Sequence, residues 1–164
     1  GTDLAPMILG GSQEGSLRAG TENVPGIVGL GAAMNLVREQ RAEERGRLMG
    51  LRQYLVNGLQ ALGPGVIVNG GKETSAPHVV SVSFTGMDAE MMQIRLNNDG
   101  IAVSLGSACN SKSIEPSHVL TAMHLTQEQI ESTLRISLGM PTTKDELDTL
   151  LDAVSRIMPR VIIQ

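Results

Sequence analysis

The chain has 164 residues, of which 18% are charged, and its formal net charge is −4. A chain of this length fits one domain with a core of its own. The net negative charge excludes the basic surface that nucleic acid binding needs, and the only aromatic residues, Tyr54 and Phe84, exclude a base-stacking platform. The apolar runs are far shorter than the roughly 20 residues that span a bilayer, and no leader sequence is recognisable, so a soluble protein without membrane contact is predicted.

The chain has a single cysteine, Cys109. It cannot form an internal disulfide, and a lone thiol is typical of a reducing compartment, which predicts a cytoplasmic protein. The three histidines, His78, His118 and His124, lack the spacing of metal ligands. No metal site is therefore predicted.

The beginning of the chain divides into a loop and a helix. Residues 1–24 are rich in glycine and polar side chains, which predicts an extended loop. Helical periodicity starts after Pro25, which suits the first turn of a helix. Leucines then recur at spacings of three and four. Residues 26–62 are predicted to form one long helix, or two with a break near Gly46 or Gly50.

Short elements of alternating type follow. Strands are predicted from alternating β-branched residues, and helices from capping residues that precede amphipathic runs. The predicted strands are 66–69, 78–84, 101–104 and 134–139, and the predicted helices are 88–100 and the segments that begin at Pro116, Thr126 and Thr143. This order predicts an α+β fold in which helices cover a small, mostly antiparallel sheet.

Cys109 is the first candidate for chemistry. Its neighbours in SLGSACNSKS, residues 104–113, are mostly small or polar, as in exposed loops. Lys112 would favour the thiolate form of a nearby thiol. A free cysteine is often a buried structural residue, so two interpretations stay open, and the composition favours a reactive nucleophile.

Two further segments could bind anions. Arg135 lies in LRISLG among strand-forming residues, so its guanidinium either pairs with an anion such as a carboxylate or faces water from an edge strand. The stretch GGSQEGSLRAGT, residues 10–21, could bind phosphate through its backbone N–H groups. It lacks the spacing of a nucleotide-binding P-loop, and a solvated loop is the alternative.

Four stretches, taken together and in order, resemble the carboxy-terminal part of group I (NifS-type) cysteine desulfurases, pyridoxal phosphate enzymes with the class V aminotransferase fold. They are GGSQEGSLRAGTENVPGIVGLGAA, APHVVSVSF, GIAVSLGSACNSKSIEPSHVL and LRISLGMPTTKDELD. The resemblance implies that residues 25–164 form the small carboxy-terminal domain of a fold-type I pyridoxal phosphate enzyme, with a long linking helix and a cysteine loop at 104–115. Residues 1–24 would then be the tail of the large cofactor-binding domain.

The resemblance also implies residue roles. Cys109 would attack the sulfur of cofactor-bound L-cysteine and become a persulfide, leaving L-alanine. Arg135 would bind the substrate carboxylate, and Thr21 would reach across a homodimer to the pyridoxal phosphate of the other subunit. The sulfur would pass to an acceptor or scaffold protein, for iron–sulfur cluster assembly or tRNA thiolation.

The lysine that binds the cofactor is the main departure from the family pattern. None of Lys72, Lys112 and Lys144 has the neighbours of the lysine that forms a Schiff base in this family. The expectation is therefore a carboxy-terminal fragment that is inactive alone and leaves apolar surface uncovered near residues 4–30. The alternatives are a selenocysteine lyase or another class V relative, and a stand-alone sulfur-relay module that is not an enzyme.

Overall fold

The structure is a computed structural model that describes residues 3–71, 75–106 and 117–158. The chain consists of two compact units, Gly1–Ala42 and Glu43–Gln164. Within the described ranges, every helix is too short or too polar to span a lipid bilayer. The predicted assignment of residues 1–24 to a large domain and 25–164 to a small one stays a prediction.

The first unit begins with a loop that folds back on itself rather than staying extended. Ala19 N–H donates a hydrogen bond to the Ile8 carbonyl at 3.1 Å, and a short 3-10 helix, Gln13–Ser16, lies between the two. Helix α1 spans Val24–Ala61 as one helix, without a break at Gly46 or Gly50. The single-helix prediction is therefore confirmed.

Many apolar side chains of the first unit are exposed. Met7 is 95% exposed, Leu9 82% and Leu30 63%. Isolated exposed leucines are common in proteins, but so many in one segment form a surface that normally binds a partner. The expectation of uncovered apolar surface near residues 4–30 is confirmed.

The second unit is built around a four-stranded antiparallel sheet with the strand order β1-β2-β4-β3. The strands are β1 (Val66–Asn69), β2 (Val79–Phe84), β3 (Ser104–Leu105) and β4 (Thr133–Ser137). In the register, Val66 lies opposite Phe84, and Val80 lies opposite Ile136. Strands β2 and β4 are therefore the central pair, and the predicted antiparallel sheet is confirmed.

Four helices of the second unit complete the predicted order of elements. They are α2 (Ala89–Asn98), α3 (His118–Ala122), α4 (Gln127–Glu131) and α5 (Lys144–Ile157). Each is preceded by a residue whose side chain accepts a hydrogen bond from the first turn: Asp88, Ser117, Thr126 and Thr143. These caps satisfy N–H groups that have no partner inside the helix, which explains where each helix begins.

The core lies on one face of the sheet. Val80, Val82 and Phe84 of β2 are completely buried, in one cluster with Leu55 and Leu59 of α1. Buried residues of α2 and α5 belong to the same cluster, so these three helices contribute to one core. The leucine periodicity of the long helix correctly predicted its buried face.

The turn between β4 and α5 is held by one side chain of α1. The guanidinium of Arg47 donates hydrogen bonds to the carbonyls of Gly139, Met140 and Thr142 at 2.9, 3.1 and 2.8 Å. It also pairs with Glu44 at 2.8 Å. Arg47 therefore fixes the direction in which the chain leaves the sheet.

The third strand was predicted at 101–104, and that prediction is wrong in extent, because β3 is only Ser104–Leu105. The backbone before it is bonded to α2 instead of β4. Ile101 N–H donates to the Leu96 carbonyl at 2.9 Å, and the Gln93 amide donates to the Val103 carbonyl at 2.8 Å. The tertiary position of α2 thus overrides the local β-propensity of this segment.

Candidate active site

The face of the sheet opposite the core carries mainly polar residues around Arg135. Side chains alternate between the two faces of a strand, so Thr133 and Arg135 lie on the opposite face from the buried Leu134 and Ile136. The register places Ser81 of β2 and Ser104 of β3 on either side of Arg135. We call Ser81, Ser83, Ser104, Thr133 and Arg135 the polar face.

Arg135 is half-buried on a central strand, so its interpretation as an edge-strand residue is wrong. The ion pairs among the described residues are Arg47–Glu44 and Arg156–Asp99, which leaves Arg135 without a carboxylate partner in that part of the chain. A guanidinium donates two parallel hydrogen bonds to a carboxylate. Arg135 is therefore suited to bind a carboxylate that comes from a ligand.

A chain of buried hydrogen bonds lies beside Arg135 on the same face. The Asn69 amide donates to Ser83 Oγ at 2.9 Å, and Ser83 Oγ lies 2.8 Å from Thr133 Oγ1. The Thr133 hydroxyl donates onward to the Gln129 carbonyl of α4. Ser83 is 0% exposed, Thr133 1% and Asn69 8%, so each depends on these partners. Sequence analysis missed this network, although serine alternating with valine in VSVSF was a signal for it.

Gly106 is the last described residue before the segment that carries Cys109. Gly106 N–H donates to the Thr133 carbonyl at 3.1 Å. A Cβ at this position would lie 2.7 Å from Leu120 Cδ1 and 3.1 Å from Thr133 Cγ2, so only glycine fits without displacement. Residues 107–116, and with them Cys109 and Lys112, lie outside the described residues.

Thr21 lies in the first unit, in a loop that two side chains hold in place. Arg18 Nη1 donates to the carbonyls of Gly20 and Thr21 at 3.1 and 2.7 Å. Gln13 Oε1 accepts a hydrogen bond from Gly20 N–H at 3.2 Å, and Gly20 has a φ of +97°. Arg18 neutralises the two carbonyl dipoles and adds positive charge beside the exposed Thr21. The contact of Thr21 with a cofactor phosphate stays a prediction.

Of the three lysines, Lys144 lies within the described residues, and its ammonium is 4.7 Å from the centroid of the Tyr54 ring. This is a cation–π contact between α5 and α1. Lys72 and Lys112 lie outside the described residues. In the part of the chain that the structure describes, no group of three His, Cys, Asp or Glu residues could hold a metal ion.

The architecture is a small antiparallel sheet that packs its apolar face against helices and carries Arg135 on its polar face. The family model described as aminotransferase class V matches residues 10–150, and the chain belongs to that family.

Among its relatives, a cysteine desulfurase IscS of Dictyoglomus turgidum is 40% identical over 98% of this chain and 41% of its own length. A cysteine desulfurase of Bradyrhizobium diazoefficiens is 44% identical over 98% of this chain and 41% of its own length. A solved structure described as a NifS-like protein is 36% identical, with a TM-score of 0.80 over 96% of this chain and 40% of that one. The predicted fold class and the resemblance to NifS-type proteins are confirmed. The chain spans about 41% of the length of the curated relatives it matches.

Proposed function

We propose that these residues are the carboxy-terminal part of a pyridoxal phosphate-dependent cysteine desulfurase, which converts L-cysteine to L-alanine and passes the sulfur to an acceptor protein. The observation that carries the proposal is Arg135, a half-buried guanidinium between Ser81 and Ser104 that has no carboxylate partner among the described residues. Relatives named cysteine desulfurases at 40–44% identity support the choice of an amino acid substrate.

Arg135 binds the substrate carboxylate in this proposal. Its backbone is bonded to strands on both sides, so the Cα from which the side chain extends has a fixed position. The neighbouring Ser81 and Ser104 are half-buried and carry hydroxyl groups that hydrogen-bond to a carboxylate oxygen or to the water around it. Fixing one end of the amino acid sets the position of its sulfur.

Thr21 and its loop hold the phosphate of the cofactor in this proposal, in the other subunit of a homodimer. Pyridoxal phosphate supplies the electron sink that makes the bonds at the amino acid α-carbon labile. In this proposal, as the resemblance implies, the lysine that binds this cofactor is not one of Lys72, Lys112 and Lys144. Residues 1–164 alone are therefore expected to be inactive.

Cys109 is the proposed nucleophile that takes up the sulfur as a persulfide. It follows Gly106 by three residues in the sequence. Gly106 in turn packs against Thr133, two residues before Arg135 on the same strand. The persulfide would then pass to an acceptor in cytoplasmic iron–sulfur cluster assembly or tRNA thiolation.

The test uses the full-length protein with pyridoxal phosphate and L-cysteine, and it measures alanine and sulfide. Cys109→Ala is expected to abolish sulfide release. Arg135→Leu is expected to raise KM for L-cysteine about 100-fold, since losing a charged hydrogen-bonded pair costs about 3 kcal/mol. Arg156→Leu is the matched control, because that arginine forms an exposed ion pair with Asp99 and should leave KM unchanged.

Three results would overturn the proposal. If Cys109→Ala retains full activity with L-cysteine, the cysteine is not the nucleophile. If alanine forms only from L-selenocysteine, the protein is a selenocysteine lyase. If the full-length protein forms no alanine from either amino acid but accepts a persulfide on Cys109, it is a sulfur-relay module.

A further inference from the structure

We propose that Thr133 is a positioning residue of this active site. Its hydroxyl, held by the buried hydrogen-bond chain from Asn69 through Ser83, fixes the strand segment that carries Arg135 relative to the turn at Gly106. This inference rests on the proposed function. It concerns how Arg135 and the turn at Gly106 are held at a fixed distance from each other.

The first argument is the continuity of the hydrogen bonds. Thr133 donates its hydroxyl proton to the Gln129 carbonyl, and its Oγ1 lies 2.8 Å from Ser83 Oγ, which accepts from the Asn69 amide. Each hydroxyl has partners on both sides, so the network is continuous from β1 to α4. Buried networks in which every member is satisfied are rigid, and the loss of one member affects the others.

The second argument is the contact between Thr133 and Gly106. The carbonyl of Thr133 accepts a hydrogen bond from Gly106 N–H at 3.1 Å. The Cγ2 of Thr133 would lie 3.1 Å from a Cβ at Gly106. Leu120 of α3, which is 4% exposed, would also be close to that Cβ, with its Cδ1 at 2.7 Å. Backbone and side chain of Thr133 thus both determine where this turn lies.

The third argument is the position of Arg135 on the same strand. Arg135 follows Thr133 by two residues and pairs with Ser104 of β3. Gly106 follows Ser104 by two residues, and its N–H donates to the carbonyl of Thr133. A shift in the backbone of Thr133 would therefore move the turn at Gly106 relative to Arg135. Small misplacements of reacting groups lower the rate of the chemical step.

The test measures kcat and KM for L-cysteine with full-length, cofactor-loaded variants, well below their melting temperatures. Thr133→Val keeps the shape of the side chain and removes the hydroxyl, and it is expected to lower kcat about tenfold with KM changed less than about twofold. Thr133→Ser keeps the hydroxyl and should recover most of kcat. Thr149→Val is the control, because Thr149 is exposed on α5.

A second measurement does not depend on activity. The amide hydrogen of Gly106 is expected to exchange about tenfold faster in Thr133→Val than in the unmodified protein, because its acceptor is no longer held in place. If Thr133→Val does not fold, Ser83→Ala replaces it, since it breaks the same hydrogen-bond chain by removing one oxygen. It is expected to lower kcat about fivefold with KM unchanged.

The outcomes separate this inference from the proposed function. If Cys109→Ala abolishes sulfide release while the Thr133 and Ser83 variants keep kcat within twofold and show normal Gly106 exchange, the positioning role is wrong and the proposed function stands. A lower melting temperature of the Thr133 and Ser83 variants with unchanged kcat also contradicts the positioning role, because a purely structural role would give that result. If Cys109→Ala is fully active, the proposed function fails, and the positioning role fails with it.

Discussion

The phenol of Tyr54 on α1 donates a hydrogen bond to Oδ1 of Asp148 on α5. The ammonium of Lys144, at the start of α5, lies over the same ring. These contacts join two helices that share the core, and they surround the only tyrosine in the sequence with one negative and one positive charge.

Asp148 is expected to control the ionisation of Tyr54. The hydrogen bond to Asp148 raises the pKa of Tyr54, partial burial and the negative charge of Asp148 raise it further, and Lys144 opposes the shift. Asp148→Ala should therefore lower this pKa toward the ordinary value, and Asp152→Ala, an exposed position on the same helix, should not. Titration of the phenolate absorbance in the 164-residue chain measures the pKa of Tyr54 directly.

The same shift predicts how stability depends on pH. The pKa of Tyr54 is higher in the folded state than in the unfolded state, so the hydrogen bond stabilises the fold fully below the ordinary tyrosine pKa of about 10. This contribution is lost as the pH rises through the raised value. The alkaline decline of the free energy of unfolding should be smaller in Asp148→Ala, and an identical decline in both proteins would contradict the assignment.

Thr143 is expected to stabilise α5 as its N-cap. Its hydroxyl accepts from Glu146 N–H, and the Glu146 carboxylate accepts from Thr143 N–H at 2.8 Å, which is a capping box. Thr143→Ala should lower the free energy of unfolding by about 1 kcal/mol. Thr149→Ala, inside the same helix, should leave it unchanged or raise it, because alanine is the better helix former. Equal effects of the two substitutions in urea unfolding would show that the cap contributes nothing.

Two leucines of α1 are expected to differ in how much their truncation lowers the stability of the 164-residue chain. Leu55 is 0% exposed, so Leu55→Ala should cost about 2–5 kcal/mol by leaving a cavity. Leu30 is 63% exposed, and Leu30→Ala should change the stability by less than about 0.5 kcal/mol. Thermal unfolding of both variants measures this, and a similar loss for the two would mean that Leu30 is covered in solution.

Gly58 of α1 is expected to be required by its contact with Leu151 of α5. A Cβ at Gly58 would lie 2.4 Å from Leu151 Cδ1 and 2.9 Å from Cδ2, so the leucine side chain would have to move. Gly58→Ala should lower the stability by about 1–2 kcal/mol, even though alanine favours the helix by about 1 kcal/mol. In a Leu151→Ala background the same substitution should be stabilising, and additive effects in this double-mutant cycle would rule out the close contact.

Much of the secondary structure could be predicted because it depends on neighbouring residues. The leucine spacing of α1 and the caps Asp88 and Thr143 act within one or two helical turns, and the structure has them where the sequence predicted them. The predicted extent of β3 was wrong because the backbone at Ile101 and Val103 forms hydrogen bonds with α2. β-propensity depends on local residues and does not predict such a tertiary contact.

The sequence by itself determined the order of the elements, the buried face of the long helix and the four motifs that place the chain among class-V aminotransferases. Only the tertiary structure decided that Arg135 lies on a central strand between Ser81 and Ser104, and that Thr133 joins a buried network with Ser83 and Asn69. The physical reason is that helical periodicity and capping act over a few residues. The neighbours of a strand, and therefore the partners of its polar side chains, are set by pairing between segments far apart in the chain.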